Sequence, residues 1–151
     1  MRKILIVLAL IVLAAAPVSA MERTDVMFTL HQFVEGFNTD DTKTAVAACA
    51  DDMSIIDEFP PHEWHGPGAL LKWFHDYDVD AKKNGITNGI VTLGEPKHMD
   101  VTDDRAYVVV PSSYAYKKNG TLVKEADSAF TFALKKSETG WLIIGWSWAK
   151  N

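Results

Sequence analysis

The sequence predicts an α+β domain in which helices come first and an antiparallel sheet packs against them. Three observations lead there. Val26, Met27, Leu30, Phe33, Val34 and Phe37 recur at helical spacing in the N-terminal half. From about Asn88 onward the apolar period falls to two. Asn119-Gly120 then separates two such runs, the strongest short hairpin signal a sequence carries.

The elements follow in order. Residues 1–20 read as a secretory signal peptide: Arg2 and Lys3, an apolar run from Ile4 to Ala16, then Val18-Ser19-Ala20 as a small-residue cleavage site. The run is shorter than the roughly 20 apolar residues of a spanning helix. A periplasmic or secreted location is expected, with a single mature domain over residues 21–151 and no membrane association after cleavage. The first helix runs from about Thr24 to Asn38. Asp40 or Asp41 caps a short second helix that turns Val46, Cys49 and Ala50 inward. A strand is expected from Met53 to Phe59. Gly66-Pro67 opens a third helix with Leu70, Leu71, Phe74 and Tyr77 as its buried stripe, ended by Asn84-Gly85. Four strands complete the chain, over about 88–99, 105–116, 122–136 and 141–150.

Composition narrows the function classes. Loss of Arg2 and Lys3 with the leader leaves 13 basic and 20 acidic residues, a formal charge of −7. With no basic stripe, nucleic acid and anionic membranes are not expected partners. Cys49 is the only cysteine, so no internal disulfide can form, and it reads as a small buried residue. Asn119-Gly120-Thr121 matches a glycosylation acceptor, but a tight hairpin explains the same residues.

The order helix, short helix, Ala50-Asp51-Asp52-Met53-Ser54-Ile55-Ile56-Asp57, loop to His65-Gly66, third helix and long meander resembles the NTF2-like superfamily. The closing Gly140-Trp141-Leu142-Ile143-Ile144 is similar to the last strand of its SnoaL-like branch. The resemblance spans the mature chain and implies a cone: three N-terminal helices packed on a curved antiparallel sheet, with an apolar pocket at the open end. Ketosteroid isomerase is the enzymatic relative most similar in pattern, and that likeness places its general base on Asp57. The isomerase's donor tyrosine falls on or near Phe33 and its second aspartate near Ala129 or Phe130, so its oxyanion-stabilising groups are missing. The last strand, Gly145-Trp146-Ser147-Trp148, also lacks the histidine many related domains carry there.

Asp57 is thus a catalytic base, a polar anchor for a ligand, or a structural carboxylate. Phe33, Phe59, Trp64, His65 and Tyr114 join it as candidate ligand contacts. His62, Glu63 and His65 fall short of the four fixed ligands of a metal site, so neither metal nor other cofactor is expected. In the last strand, Trp146 and Trp148 share one face with Leu142 and Ile144, opposite Trp141, Ile143, Gly145 and Ser147. Apolar rows on both faces imply either a lined cavity or a homodimer through the sheet, and the dimer is expected to bury the two tryptophans. The leading function is binding of a small, partly apolar ligand. An isomerase, dehydratase or cyclase using Asp57 is the alternative, and an interaction module without a small ligand is a third class.

Overall fold

A computed structural model describes residues 16–151. Most of the proposed leader therefore lies outside the described residues. Among those described, no helix is long and apolar enough to cross a membrane. The helices are α1 (Ala16–Asn38), α2 (Thr42–Ala47) and α3 (Ala69–Asn84). The strands are β1 (Cys49–Ile56), β2 (Glu63–Pro67), β3 (Ile86–Leu93), β4 (His98–Thr102), β5 (Arg105–Lys118), β6 (Thr121–Ser137) and β7 (Gly140–Ala149).

The helices pack on a curved, unclosed sheet of order β2-β1-β7-β6-β5-β3, with β4 pairing β5 as well. The sheet is mixed, since β1 runs parallel to β7 while every other pair is antiparallel. The meander is antiparallel as expected, and only the early strand β1 joins the sheet in parallel, which the long connection from β1 to β7 makes possible. The buried face of α1 presents Val26, Leu30, Phe33 and Val34 to the sheet. At its C-terminus the Asn38 amide bonds the backbone of Val91 in both directions, at 2.9 and 2.8 Å, and so ties the helix to β3.

Asp41 rather than Asp40 caps α2, accepting from the Thr44 amide at 3.1 Å. Cys49 is buried as expected but opens β1 instead of ending a helix, and Val46 is exposed where Ala45 is buried. Gly66-Pro67 belongs to β2, not to a helix. Proline is tolerated there because β2 is an edge strand, and α3 starts after Gly68. Its buried stripe is Leu70 and Trp73, with Phe74 and Tyr77 partly covered, while Leu71 faces solvent. The run expected over 88–99 divides into β3 and β4 at Gly94-Glu95-Pro96, although the Gly94 and Lys97 amides still bond β5. Asn119 and Gly120 both adopt positive φ, the geometry of a two-residue primed turn between β5 and β6.

Two bulges decide which side chains face inward. In β7 the register jumps at Ile144: Ile143 pairs Leu134, and Gly145 pairs Ala133. The extra residue switches the alternation, so Trp141, Ile143, Trp146 and Trp148 are all buried on one face. The two tryptophans are therefore core residues of the monomer, packed on Phe130 at 5.2 Å, and do not form an outer row. The second bulge lies in β6, where Ser128 pairs Ser112 and Glu125 pairs Tyr114. It turns Glu125 toward the same interior as Phe130, against a simple count of two.

Candidate functional site

The open end of the cone holds a cavity of about 340 Å³. Phe33, Val34 and Phe37 of α1 form its floor, Trp73 and Tyr77 of α3 one wall, and Tyr114, Phe130, Trp146 and Trp148 of the sheet another. The segment after β1 brings Asp57, Glu58, Phe59 and Pro60 to its rim.

Asp57 follows directly on β1, so the strand fixes its backbone. One carboxylate oxygen accepts from the Trp73 indole N–H at 2.8 Å, the other from the Glu58 amide at 2.7 Å. Burial raises the carboxyl to about 6, and the two donors hold it from rising further. Asp57 is thus an oriented carboxylate poised between its protonation states near neutral pH.

The Tyr77 and Tyr114 hydroxyls bond each other at 2.5 Å. Burial raises both phenols, which keeps them protonated. One hydroxyl hydrogen is used in the pair, and the other is free to donate. Gly89 makes this meeting possible, because a Cβ there would lie 2.6 Å from the Tyr114 oxygen and 2.7 Å from that of Tyr77. Beyond Tyr114, a polar cluster completes the lining. The Tyr116 hydroxyl donates to Glu125 at 3.1 Å, and the Lys150 ammonium reaches Glu125 at 2.6 Å and Glu58 at 3.2 Å. Burial and the neighbouring Glu125 raise the Glu58 carboxyl.

Among solved structures, an NTF2-like superfamily protein of Salmonella enterica superposes with a TM-score of 0.73 at 12% identity, covering 87% of this chain and 92% of that one. A ketosteroid isomerase-like protein of Erwinia carotovora atroseptica gives 0.66 at 18% identity, over 85% and 95%. A type 2 hexachlorocyclohexane dehydrochlorinase gives 0.72 at 11%, over 88% and 87%. The fold is the NTF2-like cone. No protein-family model matches the chain, and no curated protein is similar to it. At these identities the likeness is one of fold, and a fold hosts many chemistries.

Within this NTF2-like cone, Phe33, Asp57, Phe59 and Tyr114 all line the cavity. Trp64 and His65 do not. The Trp64 ring is buried behind Phe59, with its indole N–H on Asp76 at 2.8 Å. His65 is exposed on β2, 3.3 Å from both Ser54 and Glu63. Alternation along β2 sends Trp64 inward and His65 outward, and an extended strand, not a loop, holds both. No group of three or more potential metal ligands gathers among the described residues. Burial pushes the Cys49 thiol up to about 12, far from a reactive thiolate.

Sequence reasoning left Trp73, Tyr77, Tyr116, Glu58, Glu125 and Lys150 out of the site. Trp73 and Tyr77 carried a usable signal, since an indole and a phenol one turn apart on α3 flank the same opening as Asp57. Glu125 carried none, because its inward direction depends on the β6 bulge. Phe33 lines the cavity and offers no donor, whereas the Tyr77–Tyr114 pair, from α3 and β5, leaves one phenol hydrogen free.

Proposed function

We propose that the chain binds a small, partly apolar ligand in the open end of the cone, with Asp57 and the Tyr77–Tyr114 pair as its polar contacts. One observation carries the reading: an aromatic cavity of about 340 Å³ with an oriented carboxylate and a free phenol donor on its walls. Cavities of this size with few fixed polar groups suit small organic ligands. The test is calorimetric titration with a panel of one- and two-ring ketones, alcohols and amines. Micromolar binding should appear in wild type and vanish in Ala81→Trp, which puts an indole into the cavity that Ala81 of α3 lines, while the circular dichroism spectrum is retained. Binding indifferent to Ala81→Trp, or none from any member, would contradict the reading.

Catalysis is the second reading. A carboxyl near 6 in the same cavity as a free phenol donor is the equipment for moving a proton beside a polarised carbonyl. Two of the proteins sharing this fold are named as isomerase-like and as a dehydrochlorinase. Asp57→Asn separates the readings. A general base lost this way should lower turnover by about 10²–10⁴-fold with little change in affinity. A mere anchor should cost about 1–3 kcal/mol of binding and leave no turnover to lose.

Export and self-association belong to the same proposal. Arg2-Lys3, the apolar run and Val18-Ser19-Ala20 support cleavage after Ala20, which the intact mass of secreted material tests. Homodimer formation moves to the outer face of the sheet. Tyr107 is exposed there, and Val109, Ala133 and Leu142 are only half-buried.

A further inference from the structure

We infer that the ligand carries a positive charge: an ammonium group on an apolar or aromatic body, received by Glu58 and Glu125 in place of Lys150. The inference rests on the cavity being a binding site, as proposed above, and names the class of ligand it takes.

The charge inventory comes first. Four carboxyl groups line the cavity, those of Asp57, Glu58, Asp80 and Glu125, against the single ammonium of Lys150. That ammonium is already committed to Glu125 and Glu58. Among the described residues no unengaged cation lines the cavity, so a carboxylate or phosphate ligand would meet repulsion and no compensating positive charge. A cation meets the reverse.

Glu125 supplies the independent observation. Its side chain is only 8% exposed, yet one carboxylate oxygen has no hydrogen-bond partner among the described residues. A buried carboxylate oxygen left without a donor is costly. Glu58, pressed against it, cannot donate while ionised. Two carboxylates therefore share one ammonium, and burial first, then the neighbouring Glu125, raises the Glu58 carboxyl.

The walls fit the same ligand. Tyr114 stacks on Tyr116 at 4.9 Å and meets the edge of Trp148 at 6.5 Å, beside the acidic pair. Aromatic faces are electron-rich and attract desolvated cations. Lys150 has the character of a replaceable occupant. It lies one residue beyond the β7 ladder and is 48% exposed, so a ligand ammonium can take its place while Lys150 turns to water.

The test uses three probes of one shape: 2-naphthylmethylamine, 2-naphthylmethanol and 2-naphthoate, titrated calorimetrically into the mature domain at pH 7.5. The amine should bind at least tenfold more tightly than the alcohol, and the naphthoate most weakly. Glu125→Gln should erase the amine's advantage over the alcohol, with the circular dichroism spectrum reporting that the domain is still folded. Lys150→Met should raise amine affinity severalfold by freeing the acidic pair. Glu58→Gln, at a more exposed position, repeats the test of Glu125 with less risk to the core. Alcohol binding equal to or tighter than the amine's would overturn the inference while leaving the cavity as a binding site. If none of the three binds, the binding reading falls and the inference with it.

Discussion

Asp57 shows how a single residue's environment becomes a measurable property. Its carboxyl rises from the ordinary 3.8 to about 6 because burial penalises the charge more than the Trp73 and Glu58 N–H groups reward it. The folded chain therefore holds this proton more tightly than the unfolded chain. The contribution to stability is fully present below pH 3.8, and it is lost as pH rises through about 6. Wild type should lose on the order of 2–3 kcal/mol relative to Asp57→Asn between pH 4 and pH 7, with no further change above. Urea unfolding of both proteins across that range checks it, and a constant difference would refute it. Gly89 gives a second prediction. Gly89→Ala places a methyl group against the ends of two flexible side chains and separates the Tyr77–Tyr114 pair. Affinity should fall by about 1–2 kcal/mol and stability by about 1 kcal/mol, since one buried hydrogen bond is lost but no backbone must move. Asp57 was legible because the sequence motif leads to it without a gap. The phenol pair was not, because Tyr77 and Tyr114 lie 37 residues apart and only Gly89 allows their meeting.

At the scale of elements, helices were easier to read than faces of strands. The stripe of α1 and the Asn119-Gly120 turn express strong local rules, an apolar period and two residues that tolerate positive φ. The interior of the sheet depends instead on register. One extra residue in β7 moves Trp146 and Trp148 from the expected outer face to the core, and one in β6 brings Glu125 inside. Nothing in a single sequence marks either insertion, because the bulge is stabilised by the strands alongside. β2 was missed for a related reason: a Gly-Pro pair signals a helix start as readily as an edge strand. The contact between α1 and α2 allows a sharp prediction. A Cβ on Gly36 would lie 2.4 Å from the Ala45 amide nitrogen, which is backbone and cannot yield cheaply. Gly36→Ala should therefore cost about 1–3 kcal/mol despite the better helix propensity of alanine. Equal or higher stability by chemical denaturation would show that the two helices separate freely.

For the whole molecule, the cone follows from layering: three helices cover the concave face of one sheet, and the uncovered end becomes the cavity. The burial of Trp146 and Trp148 removes the original reason for a dimer but leaves the outer sheet face half-apolar. Light scattering should report a dimer that Ala133→Arg converts to a monomer, and a wild type monomeric at high concentration would rule out this association. The central claim is that the cone's open end is the ligand site, and the five tryptophans make it directly observable. Trp73, Trp146 and Trp148 line the cavity, whereas Trp64 is sealed behind Phe59 and Trp141 sits at the far end of β7. Each indole N–H gives a separate signal in a ¹H–¹⁵N spectrum, assignable by single Trp→Phe variants. Titration with a bound small ligand should shift the Trp73, Trp146 and Trp148 signals together and leave Trp141 in place. Saturable binding that moves Trp141 and leaves those three unchanged would contradict the account.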